Sequence, residues 1–215
     1  MHDGPTYKRL SGVLIFGLPV PGTAPPFFEI VRELHEWLSG NDVSYAIVGG
    51  VAVVRSGASR TTGDIDVLVR RDEWNRLLKA GHEERFATGP DWATHRESGT
   101  PVDVLFTGDD WDLPFLLADP ERAREWDSVV GAWFMAPAAL LELKAAVYLS
   151  KRAEYGEAPA AHDLADVTAL LTANPHLRDD ALIETMDPSV RAVIKTIRHE
   201  VARYRQKRPP RGRDR

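Results

Sequence analysis

Residues 61–69 read TTGDIDVLV, with two aspartates, Asp64 and Asp66, on either side of one isoleucine in what otherwise reads as a buried strand. Residues two apart on a strand point the same way. The two carboxylates therefore share a face, their Cβ atoms roughly 6–7 Å apart at about 3.3 Å rise per residue. Ile65, Val67 and Val69 take the other face and are predicted to pack beneath helices. Two carboxylates held this close repel, and a partly buried pair ordinarily keeps a proton. A half-exposed strand can carry such a pair as plain solvated surface. A divalent cation between them is the reading that gives the pair a task, because magnesium takes hard oxygen ligands, commonly one or two carboxylates with substrate phosphates.

Two further stretches bear on that choice. Val48-Gly49-Gly50 ends the apolar run VSYAIVGG and precedes a short helical pattern, VAVVRSG. A strand, two glycines and a helix leave backbone N–H groups bare at a helix start, a geometry that holds phosphate, and glycine lets a ligand approach the chain closely. Asp103 is a lone acid in the apolar strand VDVLF, between Val102 and Val104. Together these describe a phosphate-cradling turn, a carboxylate pair and a third carboxylate on a later strand. The third acid can bridge a second metal or act as base toward an incoming hydroxyl, which is equipment for moving a phosphoryl or nucleotidyl group.

The constellation resembles the nucleotidyltransferase superfamily that includes DNA polymerase β. Its pattern is an apolar residue, Gly, Gly or Ser, a spacer, Asp-apolar-Asp-apolar, and a later Asp on a strand. Here it reads Val48-Gly49-Gly50, thirteen residues, Asp64-Ile65-Asp66-Val67, then Asp103. The stretch SRTTGDIDVLV also carries the Arg-x-Thr-x-Asp-apolar-Asp of many small bacterial members, through Arg60 and Thr62. The C-terminal half is similar to the nucleotidyltransferase toxins of the AbiEii type: LLELKAAVYLSKR supplies Lys144 and Arg152, and AHDLADVTALL supplies His162, Asp163 and Asp166.

The resemblance implies an α+β fold, a mixed sheet of the polymerase β-like kind with flanking helices, followed by a helical C-terminal part. It implies NTP, ATP among them, bound with Mg²⁺ on Asp64, Asp66 and Asp103. Gly49, Gly50, Arg60, Thr62, Lys144 and Asp163 would meet or position the nucleotide, Asp163 by holding either the triphosphate or Lys144. The implied acceptor is tRNA or another RNA, with a cognate antitoxin as partner. Modification of a small molecule of the aminoglycoside type, and a catalytically silent nucleotide- or RNA-binding module, are the alternatives. Thr62 could equally hydrogen-bond the loop backbone.

The rest of the chain frames this reading. Its 215 residues allow one domain with a helical extension or two small lobes. A catalytic part is expected over residues 1–136, a helical subdomain over 137–206 and a basic tail over 207–215. A net charge of −5 argues against a molecule that traps nucleic acid by bulk charge. With no cysteine, disulfides and thiolate metal sites are excluded, and a cytoplasmic location is allowed and expected. No apolar run approaches a membrane span, and SGVLIFGLPVPGTA reads as a strand with a Pro/Gly turn rather than a signal peptide.

Helical spacing of Phe27, Ile30, Val31, Leu34, Trp37 and Leu38 predicts a helix after Pro25-Pro26, with Gly40 as its C-cap. Asp72 is expected to cap the next helix, closed by Gly81. Strands are expected near 84–88 and 91–97, an acidic loop at TGDDWDLP, and then helices only. Arg55 is expected in solvent, His82 and His95 in structural or surface roles, and Trp92, Trp111, Trp126 and Trp133 in core packing. Seven basic residues from Arg203 onward stand against the single acid Asp214 and could grip an RNA backbone.

Overall fold

The structure is a computed structural model that describes residues 6–10, 13–17, 26–60, 62–81, 84–107 and 119–207. In chain order, a hairpin of β1 (Thr6–Leu10) and β2 (Val13–Gly17) comes first. It is followed by α1 (Pro26–Gly40), β3 (Tyr45–Val48), α2 (Gly49–Arg55), β4 (Ile65–Val69) and α3 (Arg71–Ala80). Then come β5 (Phe86–Thr88), β6 (Trp92–His95), β7 (Pro101–Phe106), β8 (Arg124–Asp127) and β9 (Ala132–Met135). Four helices close the chain: α4 (Pro137–Tyr155), α5 (Glu157–Ala173), α6 (Asp180–Thr185) and α7 (Pro188–Lys207). The chain forms two compact units, one running to Arg55 and from Ser59 to Leu140, the other comprising Ser56–Ala58 and the chain from Leu141 on.

The first unit is built on a seven-stranded sheet in the order β5-β6-β7-β4-β3-β9-β8. It is mixed: β4 runs parallel to β7 and β3 to β9, while the remaining pairs are antiparallel. The alternation in DIDVLV sets the two faces. Tyr45, Ile47, Ile65, Val67, Val69, Val102 and Val104 are all buried on one of them. Helices α1 and α3 cover that face: Trp37 of α1 stacks on Phe86 at 4.9 Å and meets Trp74 of α3 edge-on at 5.8 Å. His95 lies buried in the same layer, bonded to Glu33 of α1 at 3.1 Å and to Ser98 at 2.8 Å, as a structural histidine. The opposite face carries the acids.

The second unit is a helical assembly whose core includes Leu143, Leu170, Leu171, Ile183, Val190 and Ile194. Asn174 ties the short segment Ser56–Ala58 into it, its side-chain amide donating to the Ser56 carbonyl at 2.8 Å. Among the described residues no helix is long and apolar enough to cross a membrane.

Several local expectations are corrected. Helix α1 includes Gly40, and the left-handed residue that ends it is Asp42, φ 54°; the Val43 N–H reaches back to the Leu38 carbonyl at 3.0 Å. Helix α3 starts one residue before Asp72, which lies in the first turn, where an acid suits the positive helix end without capping it. Gly81 does close that helix, at φ 68°. The region after residue 119 is not all helical, because REWD and AWFM pair as the β8–β9 hairpin with Gly131 at φ 77° in its turn. The TGDDWDLP loop beyond Thr107, Trp111, His82 and the tail from Arg208 lie outside the described residues.

Candidate active site

Gly49, the first residue of α2, has φ +59°, which only glycine adopts without strain. A Cβ there would fall 1.7 Å from Asp66 Oδ2 and 2.3 Å from its Cγ. The missing side chain of Gly49 is thus the space that the Asp66 carboxylate fills. Gly50 is used in the same way: a Cβ would lie 2.5 Å from Thr62 Oγ1 and 3.1 Å from Arg60 Cζ. The glycine turn, the acid pair and the loop before it are therefore packed into one unit. Helix α2 is only seven residues long, so its contribution near a phosphate would come from the bare amides of the turn rather than from a long dipole.

Asp103 stands beside Asp66. The two are register partners on the parallel strands β4 and β7, so their side chains leave the same face of the sheet. Asp64 lies just before β4, and its Oδ1 accepts a 2.8 Å hydrogen bond from the Thr62 hydroxyl. Thr62 therefore orients an acid, a role that lies between the two expected for it. Burial, with the charges of Asp64 and Asp91 nearby, pushes the Asp103 carboxyl above the ordinary aspartate range. Three hard carboxylates, with Asp103 already pushed up by burial and by neighbouring acids, suit a divalent cation in kind. Among the described residues, however, no three His, Cys, Asp or Glu side chains close into a ready nest for an ion. A cation here would draw further ligands from substrate phosphate and water, as magnesium ordinarily does.

Three residues stand differently from their sequence expectation, Arg55, Trp92 and Trp126, and a fourth, Asp91, has none. Arg55, expected in solvent, is half-buried at the end of α2. It donates to Asp127 at 2.9 Å and also pairs with Glu125, fixing α2 against β8. Its partners sit on a hairpin whose existence was not expected, so no sequence signal pointed to the pairing. Asp91 sits in the β5–β6 turn, its carbonyl accepting from the Val104 N–H at 3.0 Å. Trp92, expected in the core, is 43% exposed and is the register partner of Asp103 on β6. Trp126, on the edge strand β8, is equally exposed.

In the helical unit, Lys144 lies 3.1 Å from Asp163 and 2.9 Å from Asp166, and Lys151 lies 2.8 Å from Asp163. Both aspartates are buried, at 4% and 3% exposure. Burial alone would raise the Asp163 carboxyl. The Lys151 hydrogen bond and the Lys144 charge outweigh it and hold the group below its ordinary range. Asp163 thus pairs with both Lys144 and Lys151. Arg152 pairs with Glu157 at 2.5 Å over the Tyr148 ring, and His162 is exposed.

No protein-family model and no curated protein matches this chain. Among solved structures, that of ANT(2″)-Ia in complex with adenylyl-2″-tobramycin is similar over 84% of this chain and 99% of its own, with a TM-score of 0.50 at 12% identity. An antigenic nucleotidyltransferase-like protein from Paracoccidioides brasiliensis is similar over 85% of this chain and 88% of its own, with a TM-score of 0.46 at 18% identity. The mixed sheet with flanking helices and a helical C-terminal part is a nucleotidyltransferase fold.

Proposed function

We propose that this chain is a magnesium-dependent nucleotidyltransferase that moves a nucleotide from an NTP to an acceptor hydroxyl. One observation carries the reading: the Asp66 carboxylate lies against Gly49 while pairing in register with Asp103. That contact joins a turn of bare backbone donors to a row of acids, the arrangement nucleotidyl transfer asks for. Asp64 and Asp66 hold the cation, and Thr62 keeps Asp64 oriented through the bond to its Oδ1. Bound there, magnesium would neutralise charge on the phosphates and lower the barrier to attack. Asp103 completes the site and takes the proton of the acceptor hydroxyl. The acceptor oxygen forms its bond to the α-phosphorus, the bond from that phosphorus to its bridging oxygen breaks, and pyrophosphate leaves. The Gly49–Gly50 amides and Arg60 steady the phosphates.

Two acceptor classes have support of different kinds. RNA, with a cognate antitoxin as partner, rests on the toxin-like sequence pattern around Lys144 and Asp163. An aminoglycoside rests on the fold likeness to ANT(2″)-Ia, whose solved complex holds an adenylylated tobramycin. Labelled NTP and magnesium offered with total RNA in one tube and with aminoglycosides in another separate them. Label on RNA supports the first, and label on the drug supports the second. NTP binding without label on either would leave a silent nucleotide-binding module.

A further inference from the structure

The strand register extends the site beyond its acids. Val48, Asp66, Asp103 and Trp92 are successive register partners on β3, β4, β7 and β6, so all four side chains leave one face of the sheet in a row. The glycine turn follows Val48 at one end of that row, and the indole stands at the other. Neighbouring strands lie about 4.8 Å apart, so Trp92 is one strand beyond Asp103 on the side away from the proposed phosphate cradle. An acceptor whose hydroxyl reaches Asp103 from that side of the row meets Trp92 as the next side chain.

The indole is fixed rather than loose. Gly89 faces it across the β5–β6 turn, with the Gly89 N–H donating to the Trp92 carbonyl at 2.8 Å. A Cβ on Gly89 would come within 2.3 Å of the ring, so the ring lies directly over the glycine backbone. Gly89 is itself held from α3, through Trp74 Nε1–H to its carbonyl at 3.2 Å. Covering a glycine occupies part of the indole, yet 43% of Trp92 remains exposed. An exposed aromatic side chain in acidic surroundings, with Asp91 preceding it in the chain and Asp103 as its register partner, repels a phosphodiester chain and attracts an ammonium group, which the indole face binds best among aromatic rings.

We propose, resting on the transferase reading above, that Trp92 determines acceptor specificity: it is the platform for a ring that carries protonated amines, an aminosugar, beside the hydroxyl that Asp103 receives. The platform orients and selects the acceptor and takes no part in moving the proton or the nucleotide.

The test uses the full chain and measures binding without turnover. Tobramycin is titrated into the protein with magnesium and a non-hydrolysable NTP analogue, into wild type, Trp92→Ala, Trp92→Phe and Asp91→Asn. Analogue binding is measured separately for each. The proposal expects tobramycin affinity to fall on the order of tenfold in Trp92→Ala, the size of a partly desolvated cation–π contact. Trp92→Phe should recover most of the loss, and Asp91→Asn, at an exposed turn position that leaves the fold alone, should weaken binding by several-fold at low salt. Analogue affinity should be unchanged throughout. Tobramycin bound equally by wild type, Trp92→Ala and Asp91→Asn overturns the platform, as does no tobramycin binding by a wild type that still binds the analogue. An RNA oligonucleotide bound in place of tobramycin overturns the cationic class. Failure of wild type to bind the analogue with magnesium is a failure of the transferase reading itself, and the proposal falls with it.

Discussion

Substituting Gly49 with alanine tests whether the glycine turn and the acid pair are one structural unit. The new Cβ would lie 1.7 Å from Asp66 Oδ2, whereas ordinary contact begins at 3.4 Å, so the carboxylate must retreat by about 1.7 Å. Holding alanine at φ +59° adds about 1–2 kcal/mol of backbone strain. Forcing the Asp66 side chain aside adds about 1–3 kcal/mol of overpacking. Together Gly49→Ala should cost about 2–5 kcal/mol, a large share of a domain's usual stability. Asp66→Gly removes the three atoms nearest the new Cβ, Asp66 Oδ2, Cγ and Cβ, so in that background Gly49→Ala should cost little beyond the backbone part. Urea unfolding of the four proteins in the cycle should therefore give a coupling of about 1–3 kcal/mol between the two positions. A coupling below about 0.5 kcal/mol, the scatter of independent sites, would refute the claim that Asp66 fills the space at Gly49.

Three further outcomes follow from the charges. Lys144→Met leaves Asp163 buried with one lysine fewer and Asp166 without the Lys144 ammonium; breaking a buried pair from one side costs about 3–5 kcal/mol, readable as an early loss of helical signal on heating. Glu142 is buried, accepts from the Asp187 N–H at 2.6 Å, and is pushed above its ordinary range by burial and by the Asp187 charge. Its folded state holds the proton more tightly than the unfolded chain, so stability falls as pH rises from the ordinary glutamate range through the raised value; Glu142→Gln, which keeps an acceptor oxygen, should flatten that part of a melting-temperature–pH curve. Magnesium with NTP should raise the melting temperature by mass action, and Asp66→Asn should abolish the response without lowering the melting temperature of the protein alone; a variant that melts lower and still responds would make Asp66 structural.

The sheet was legible where the period-2 pattern was strong. DIDVLV and VDVLF gave both the strands and the shared face of their acids, because one buried face leaves only one workable register. The β8–β9 hairpin is not legible, since REWD has no apolar alternation and its arginine and acids are drawn in by partners far away in sequence, Tyr45 and Arg55, as well as by local ones. The sequence pattern offers the glycines as room for a ligand, whereas Asp66, Thr62 and Arg60 occupy that room. Nothing local announces such packing. Trp92 was misplaced for a similar reason: tryptophan is usually core, and only the register opposite Asp103 and the glycine beneath the ring reveal why it stays exposed.

Central to this account is that the acid row serves transfer at the α-phosphorus. NTP labelled separately at the α- and γ-phosphates, incubated with the protein, magnesium and the acceptor that it binds, tests this directly. The α-label should move to the acceptor, the γ-label should appear only in pyrophosphate, and Asp66→Asn should slow both on the order of a thousandfold or more, as the loss of several kcal/mol of charge stabilisation requires. Label from the γ-position on the acceptor, or α-transfer that survives Asp66→Asn at the wild-type rate, would contradict it.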